Sequence, residues 1–73
     1  MKRVAKFKVG DRFFSLHGAV VGEHFQITEV NTDDQFYIIK MDRKMHPLDS
    51  QMRSMYFRLF HSFARRGVFI HDD

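Results

Sequence analysis

Runs of strand-forming residues succeed one another as far as Met41, whereas the apolar residues follow the helical period from Met52 onward, and few folds accommodate that switch. Arg12-Phe13-Phe14-Ser15-Leu16 is rich in strand formers. In His24-Phe25-Gln26-Ile27-Thr28-Glu29-Val30, alternation puts Phe25 and Ile27 on one face and Gln26 and Thr28 on the other. Gln35-Phe36-Tyr37-Ile38-Ile39-Lys40-Met41 carries the strongest strand pattern in the chain. Between these two runs lies Asn31-Thr32-Asp33-Asp34, a turn by composition, because short Asn and Asp side chains bond local backbone. Two strands around a short polar turn predict an antiparallel hairpin. His17-Gly18 and Gly22 punctuate the chain ahead of it.

Asp42-Arg43-Lys44 ends the second strand, and Pro47 forces an extended or turn conformation on His46. Asp49 or Ser50 then offers an N-cap. Met52, Met55, Tyr56, Leu59, Phe60, Phe63 and Ala64 recur at i, i+3, i+4, i+7, i+8, i+11 and i+12, which predicts an amphipathic helix over 49–66 with these residues as its apolar stripe. Arg65 and Arg66 suit the negative end of the helix dipole, and Gly67 is the expected C-cap residue. Val68-Phe69-Ile70 reads as a short terminal strand, with His71-Asp72-Asp73 fraying beyond it. The stripe cannot be buried by the helix alone and has to lie on the sheet. The expected fold class is therefore α+β: a small curved antiparallel sheet or partly open barrel of about four strands, one C-terminal amphipathic helix and a short terminal strand.

A chain of 73 residues has room for one domain, here 1–73, and nine Phe with two Tyr supply it with a core. It contains no Cys, so no disulfide framework or thiolate metal site is expected, and a reducing cytoplasm suits it. Met1, Lys2 and Arg3 resemble the start of a signal peptide, but no apolar h-region follows, and no run is long enough to span a membrane.

The net charge of +3 is spread unevenly. Residues 1–10 hold Lys2, Arg3, Lys6 and Lys8 without an acid. Residues 23–34 hold Glu23, Glu29, Asp33 and Asp34 without Lys or Arg, and 50–66 hold Arg53, Arg58, Arg65 and Arg66 without an acid. Either these segments neutralise one another in the fold, or they leave a dipolar surface that steers a charged macromolecule.

The residues that carry catalysis or metal binding in other chains form no such pattern. His17, His24, His46, His61 and His71 show no i, i+4 pair and are expected at the surface or an interface, some titrating near neutral pH. Ser15, Ser50, Ser54 and Ser62 carry no nucleophile signature, and Asp33 and Asp34 are solvated turn residues rather than an acid–base pair. Neither a Walker loop nor a GxGxxG motif is present. The expectation is a non-enzyme without cofactor.

Interest therefore falls on surfaces. In Lys2-Arg3-Val4-Ala5-Lys6-Phe7-Lys8 charge alternates with apolar residues. Residues 1–8 are either an edge strand whose Val4 and Phe7 or Ala5 pack while the bases face a partner, a solvated edge protected by its Lys residues, or a phosphate-contacting arm. Phe57 lies about 100° from the centre of the helical stripe, beside Arg53. It is either covered by strands or exposed as an anchor for a partner, since aromatics and Arg dominate interface hot spots. The candidate partner-binding residues are Lys2, Arg3, Val4, Lys6, Lys8, Arg12, Arg53 and Phe57.

Phe7-Lys8-Val9-Gly10-Asp11-Arg12-Phe13 resembles the opening of small SH3-like or KOW-like barrels, in which Val-Gly-Asp starts the first strand. Such barrels are common in transcription and translation factors. As a whole, a Cys-free chain of this length with a basic arm, a compact α+β core and a Phe-rich helix is similar to the small transcription regulators of lytic phages. That resemblance implies a monomer acting in the cytoplasm of a bacterial host. It would bind core subunits of bacterial RNA polymerase in competition with sigma factor, inhibit sigma-dependent initiation and act as an antiterminator, with nucleic acid as a secondary contact. The alternative is a small barrel that binds nucleic acid directly.

Overall fold

The computed structural model describes residues 3–16, 22–43 and 50–72. Lys2, the His17-Gly18 turn, the Pro47 break and the Asp49 cap lie outside the described residues. Five strands and one helix follow in the order β1 (Arg12–Ser15), β2 (His24–Asn31), β3 (Phe36–Met41), β4 (Met52–Tyr56), α1 (Phe57–Arg65) and β5 (Phe69–Asp72). The strands form one open antiparallel sheet in the order β4-β3-β2-β1-β5, so the fold is the α+β class expected. α1 follows the strand at one edge and precedes the strand at the other. It therefore crosses one face of the sheet, and the core lies between them.

The predicted turn closes the β2–β3 hairpin: the Asp34 amide donates to Asn31 Oδ1 at 2.9 Å, and Gln35 takes a positive φ of 60°. Asn31 pairs with Phe36 across it. Simple alternation along β2 would turn Glu29 inward after Phe25 and Ile27. A bulge between Ile27 and Glu29 prevents this, because the extra residue shifts the phase by one. Val30 then packs on the core opposite Tyr37, and Glu29 is exposed. β3 directs Tyr37, Ile39 and Met41 inward.

Residues 52–56 differ from the sequence reading. They form β4, not the first turns of a helix over 49–66, and pair with β3 from Lys40↔Met52 to Phe36↔Tyr56. Met52, Met55 and Tyr56 satisfy a helical template by spacing alone. The open edge of β3 supplies backbone partners that such a turn would forgo. Tyr56 remains extended, and the first helical amide, Phe57 N–H, donates to the Gln35 carbonyl at 2.8 Å. Ser50 therefore caps no helix; its Oγ accepts from the Met52 amide instead.

Starting the helix at Phe57 also rotates its apolar face. The residues facing the sheet are Phe57, Phe60 and His61, with half-buried Ala64 completing the i, i+3, i+4, i+7 pattern. Leu59, placed in the stripe by sequence, is 47% exposed, and Tyr56 is exposed as well. Phe57 is 0% exposed, so the expectation that it anchors a partner is overturned: it stacks against His61 and packs on Tyr37 with ring centroids 4.6 Å apart. The helix ends as predicted. Gly67 has φ +79°, its amide donates to the Ala64 carbonyl and the Val68 amide donates to the Phe63 carbonyl, the paired bonds of a Schellman cap. His71 and Asp72 do not fray; they pair with Phe13 and Arg12 in β5.

The core is largely aromatic. Phe60 sits at its centre, with ring centroids 4.8 Å from Tyr37 and 5.0 Å from each of Phe13 and Phe69. The described residues of the arm, 3–8, form no strand, so its edge-strand reading is corrected. The arm is nonetheless tied down by two of its own amides and by that of Gly10 just beyond it. Arg3 N–H reaches Gln35 Oε1, Lys6 N–H reaches the Tyr37 hydroxyl, and Gly10 N–H reaches the Ile27 carbonyl. Phe7 and Ala5, not Val4, are its packing residues: Phe7 lies edge-on to Phe13 at 5.0 Å, whereas Val4 is 76% exposed. The Val9-Gly10-Asp11 motif is a turn. The Asp11 amide donates to the Lys8 carbonyl, Gly10 takes φ +96°, and Asp11 Oδ2 accepts from Lys8 N–H.

Candidate functional site

A helix with Phe57, Phe60, His61 and Ala64 on its sheet side carries Arg58, Ser62 and Arg65 along one outer flank, because these three share their own i, i+4, i+7 row about 100° round the helix. The docked arm runs beside that outer face. Arg3 and Lys6 from the arm and Arg58, Arg65 and Arg66 from the helix thus line one cleft of about 290 Å³, together with Leu59, His61 and Ser62. Among the described residues none of these five cations has an ion-pair partner. The cleft continues into a second lobe of about 490 Å³ that shares Arg3, Arg58 and Leu59 and adds Asp34, Gln35 and Tyr56.

The wall between cleft and core is made by His61. Its Nε2 lies 2.6 Å from the Tyr37 hydroxyl, which already accepts the Lys6 amide at 3.1 Å. A neutral His61 meets this oxygen in either direction, Nε2 accepting the hydroxyl proton or Nε2–H donating to the phenol, according to its tautomer, while Nδ1 is buried with no hydrogen-bond partner among the described residues. Burial lowers the pKa of His61, and the charges of Lys6 and Arg3 lower it further. The two arm cations are thus felt at the base of the cleft. Burial raises the Tyr37 pKa, opposed by the Lys6 and Phe7 amides.

The other ion pairs do not draw on these cations. Glu23 is buried and paired with Arg43, and Arg12 pairs with Asp42. The acidic segment therefore forms no ion pair with the cleft cations among the described residues, although its Asp34 lines the wider lobe with Arg3 and Arg58. Of the residues singled out by sequence, Arg3 and Lys6 are in the cleft. Lys8 lies on the other flank of the arm, beside Asp11 and His71. Arg12 sits elsewhere, bonded to Gln26 and Asp42 over a different depression. Arg53 is turned onto its own strand, donating to the Ser50 and Met52 carbonyls. Arg58, Arg65, Arg66, Tyr56 and Ser62 were not singled out. The acid-free run 50–66 is the signal that marks the three arginines, and nothing in it shows that the helix returns beside the arm. His61, expected at a surface or interface, is buried between Tyr37 and Phe57.

Among the described residues no three His, Asp or Glu side chains converge as a metal site requires, and no helix is long and apolar enough to cross a membrane. No protein-family model matches the chain, and neither a curated protein nor a solved structure matches it.

Proposed function

We propose that this chain is a non-enzymatic module that binds nucleic acid directly through the cleft between its arm and α1. The observation that carries the reading is the convergence of Arg3 and Lys6 with Arg58, Arg65 and Arg66, none of them ion-paired among the described residues. Like charges held together by a fold repel and weaken it. A phosphate backbone relieves that repulsion and releases condensed counterions as it binds. A sheet whose fifth strand returns beside the first also supports the resemblance of the opening motif to small SH3-like barrels.

One feature favours the second reading, a regulator that docks on bacterial RNA polymerase in competition with sigma factor. Asp34, in the acidic turn, lines the wider lobe of the cleft, where a protein surface with its own cations would find a partner. Capture from bacterial lysate with and without nuclease separates the two. Under the first reading wild-type protein retains nucleic acid, the Arg58→Glu/Arg65→Glu variant does not, and nuclease empties the sample. Polymerase subunits that survive nuclease on the wild type would transfer the conclusion to the second.

A further inference from the structure

The two lobes of the cleft differ in chemistry. Lys6, Ser62, Arg65 and Arg66 belong to one lobe, and Tyr56, Gln35 and Asp34 to the other, with Arg3 and Arg58 between them. A carboxylate repels phosphate but accepts hydrogen bonds from the exocyclic amines of bases. The Asp34 lobe is therefore suited to a base and the Lys6–Arg66 lobe to phosphate.

The aromatic residue in the base-suited lobe is Tyr56, which is 67% exposed at the end of the edge strand β4. Its ring meets Phe36 at 89° with centroids 6.4 Å apart, so the neighbour braces one side without stacking over the ring. Leu59 extends the exposed apolar surface beside it. In a duplex every base is stacked and paired and cannot lie on a tyrosine. A single strand can turn a base onto an aromatic face while its backbone tracks a basic groove.

Resting on the nucleic-acid reading above, we infer that the cleft selects single-stranded nucleic acid, with backbone phosphates between the arm and Arg58, Arg65 and Arg66 and one base stacked on Tyr56. The occupant is thus a flexible strand entering along the helix and ending its contact at the β2–β3 turn.

Fluorescence anisotropy with a mixed-sequence single-stranded oligonucleotide, the matching duplex and inorganic polyphosphate tests this. The single strand is expected to bind about tenfold more tightly than the duplex at equal salt. Tyr56→Ala should weaken single-strand binding about tenfold, the scale of one base–aromatic stack, and leave polyphosphate binding unchanged. Tyr56→Phe keeps the ring and should restore affinity. The chain has no Trp and two Tyr, of which Tyr37 is buried, so quenching of tyrosine emission by the bound strand reports Tyr56. Circular dichroism confirms that each variant is folded. Equal binding of strand and duplex, or indifference of the strand to Tyr56→Ala, overturns the inference while leaving the phosphate groove in place. Failure of strand, duplex and polyphosphate alike overturns the nucleic-acid reading itself.

Discussion

The Tyr37 hydroxyl lies 2.6 Å from His61 Nε2 and accepts the Lys6 amide at 3.1 Å, so one oxygen joins β3, α1 and the N-terminal arm. The contact holds the arm cations beside the helix cations, and its surroundings depend on His61 staying neutral. A protonated ring could only donate Nε2–H to the phenol, and its charge would sit buried near Lys6 and Arg3.

That dependence gives a pH effect with a definite sign. The pKa of His61 is lowered from 6.5 in the folded chain, so the unfolded chain binds the proton more readily. The contribution is complete above that value and is lost as pH falls through the lowered one. Melting temperature should fall as pH is taken below 6.5, with each kcal/mol lost lowering it by roughly 4–8 °C in a domain of this size. His61→Gln removes the titrating group, so its thermal profile over the same range should be flatter; parallel profiles would show that His61 does not couple to folding.

The buried face of α1 is tested by a pair of substitutions. Phe60→Ala empties a fully buried site and should cost about 3–5 kcal/mol. Leu59→Ala trims an exposed side chain and should stay within about 0.5 kcal/mol of wild type. Denaturant titration reads both. Comparable losses from the two would place the stripe where a helix starting before Met52 would put it.

That outcome bears on what could be read from the residues. The Asn31–Asp34 turn and the Gly67 cap were legible because each is decided within a few residues, by an Asn side chain and by a positive φ. The β4–α1 boundary was not, because Met52, Met55 and Tyr56 satisfy a helical spacing and only pairing with β3, a long-range event, selects the strand. Phe57 and Leu59 exchanged roles as a direct consequence. The cleft was half legible: both acid-free segments stood out, but their meeting depends on α1 crossing the sheet and on Phe7 docking the arm.

Docking by Phe7 can be separated from the arm's charge. Phe7→Ala leaves every cation in place but removes the ring that packs on Phe13, Tyr37 and Phe60. It should cost about 2 kcal/mol, less than a fully buried Phe, and weaken oligonucleotide binding several-fold by freeing Arg3 and Lys6. Unchanged affinity in a folded Phe7→Ala variant, measured by anisotropy, would mean that the arm need not be docked.

The most direct test of the cleft is the salt dependence of single-strand binding. Each phosphate neutralised on a single strand contributes a slope of about −0.7 to log K against log salt. Arg58→Ala and Arg65→Ala should each reduce the steepness by about that amount, and Arg12→Ala, which removes a cation already paired with Asp42 outside the cleft, should leave it unchanged. A slope near zero in the wild type, or one that responds to Arg12 and not to Arg58 and Arg65, would contradict the account.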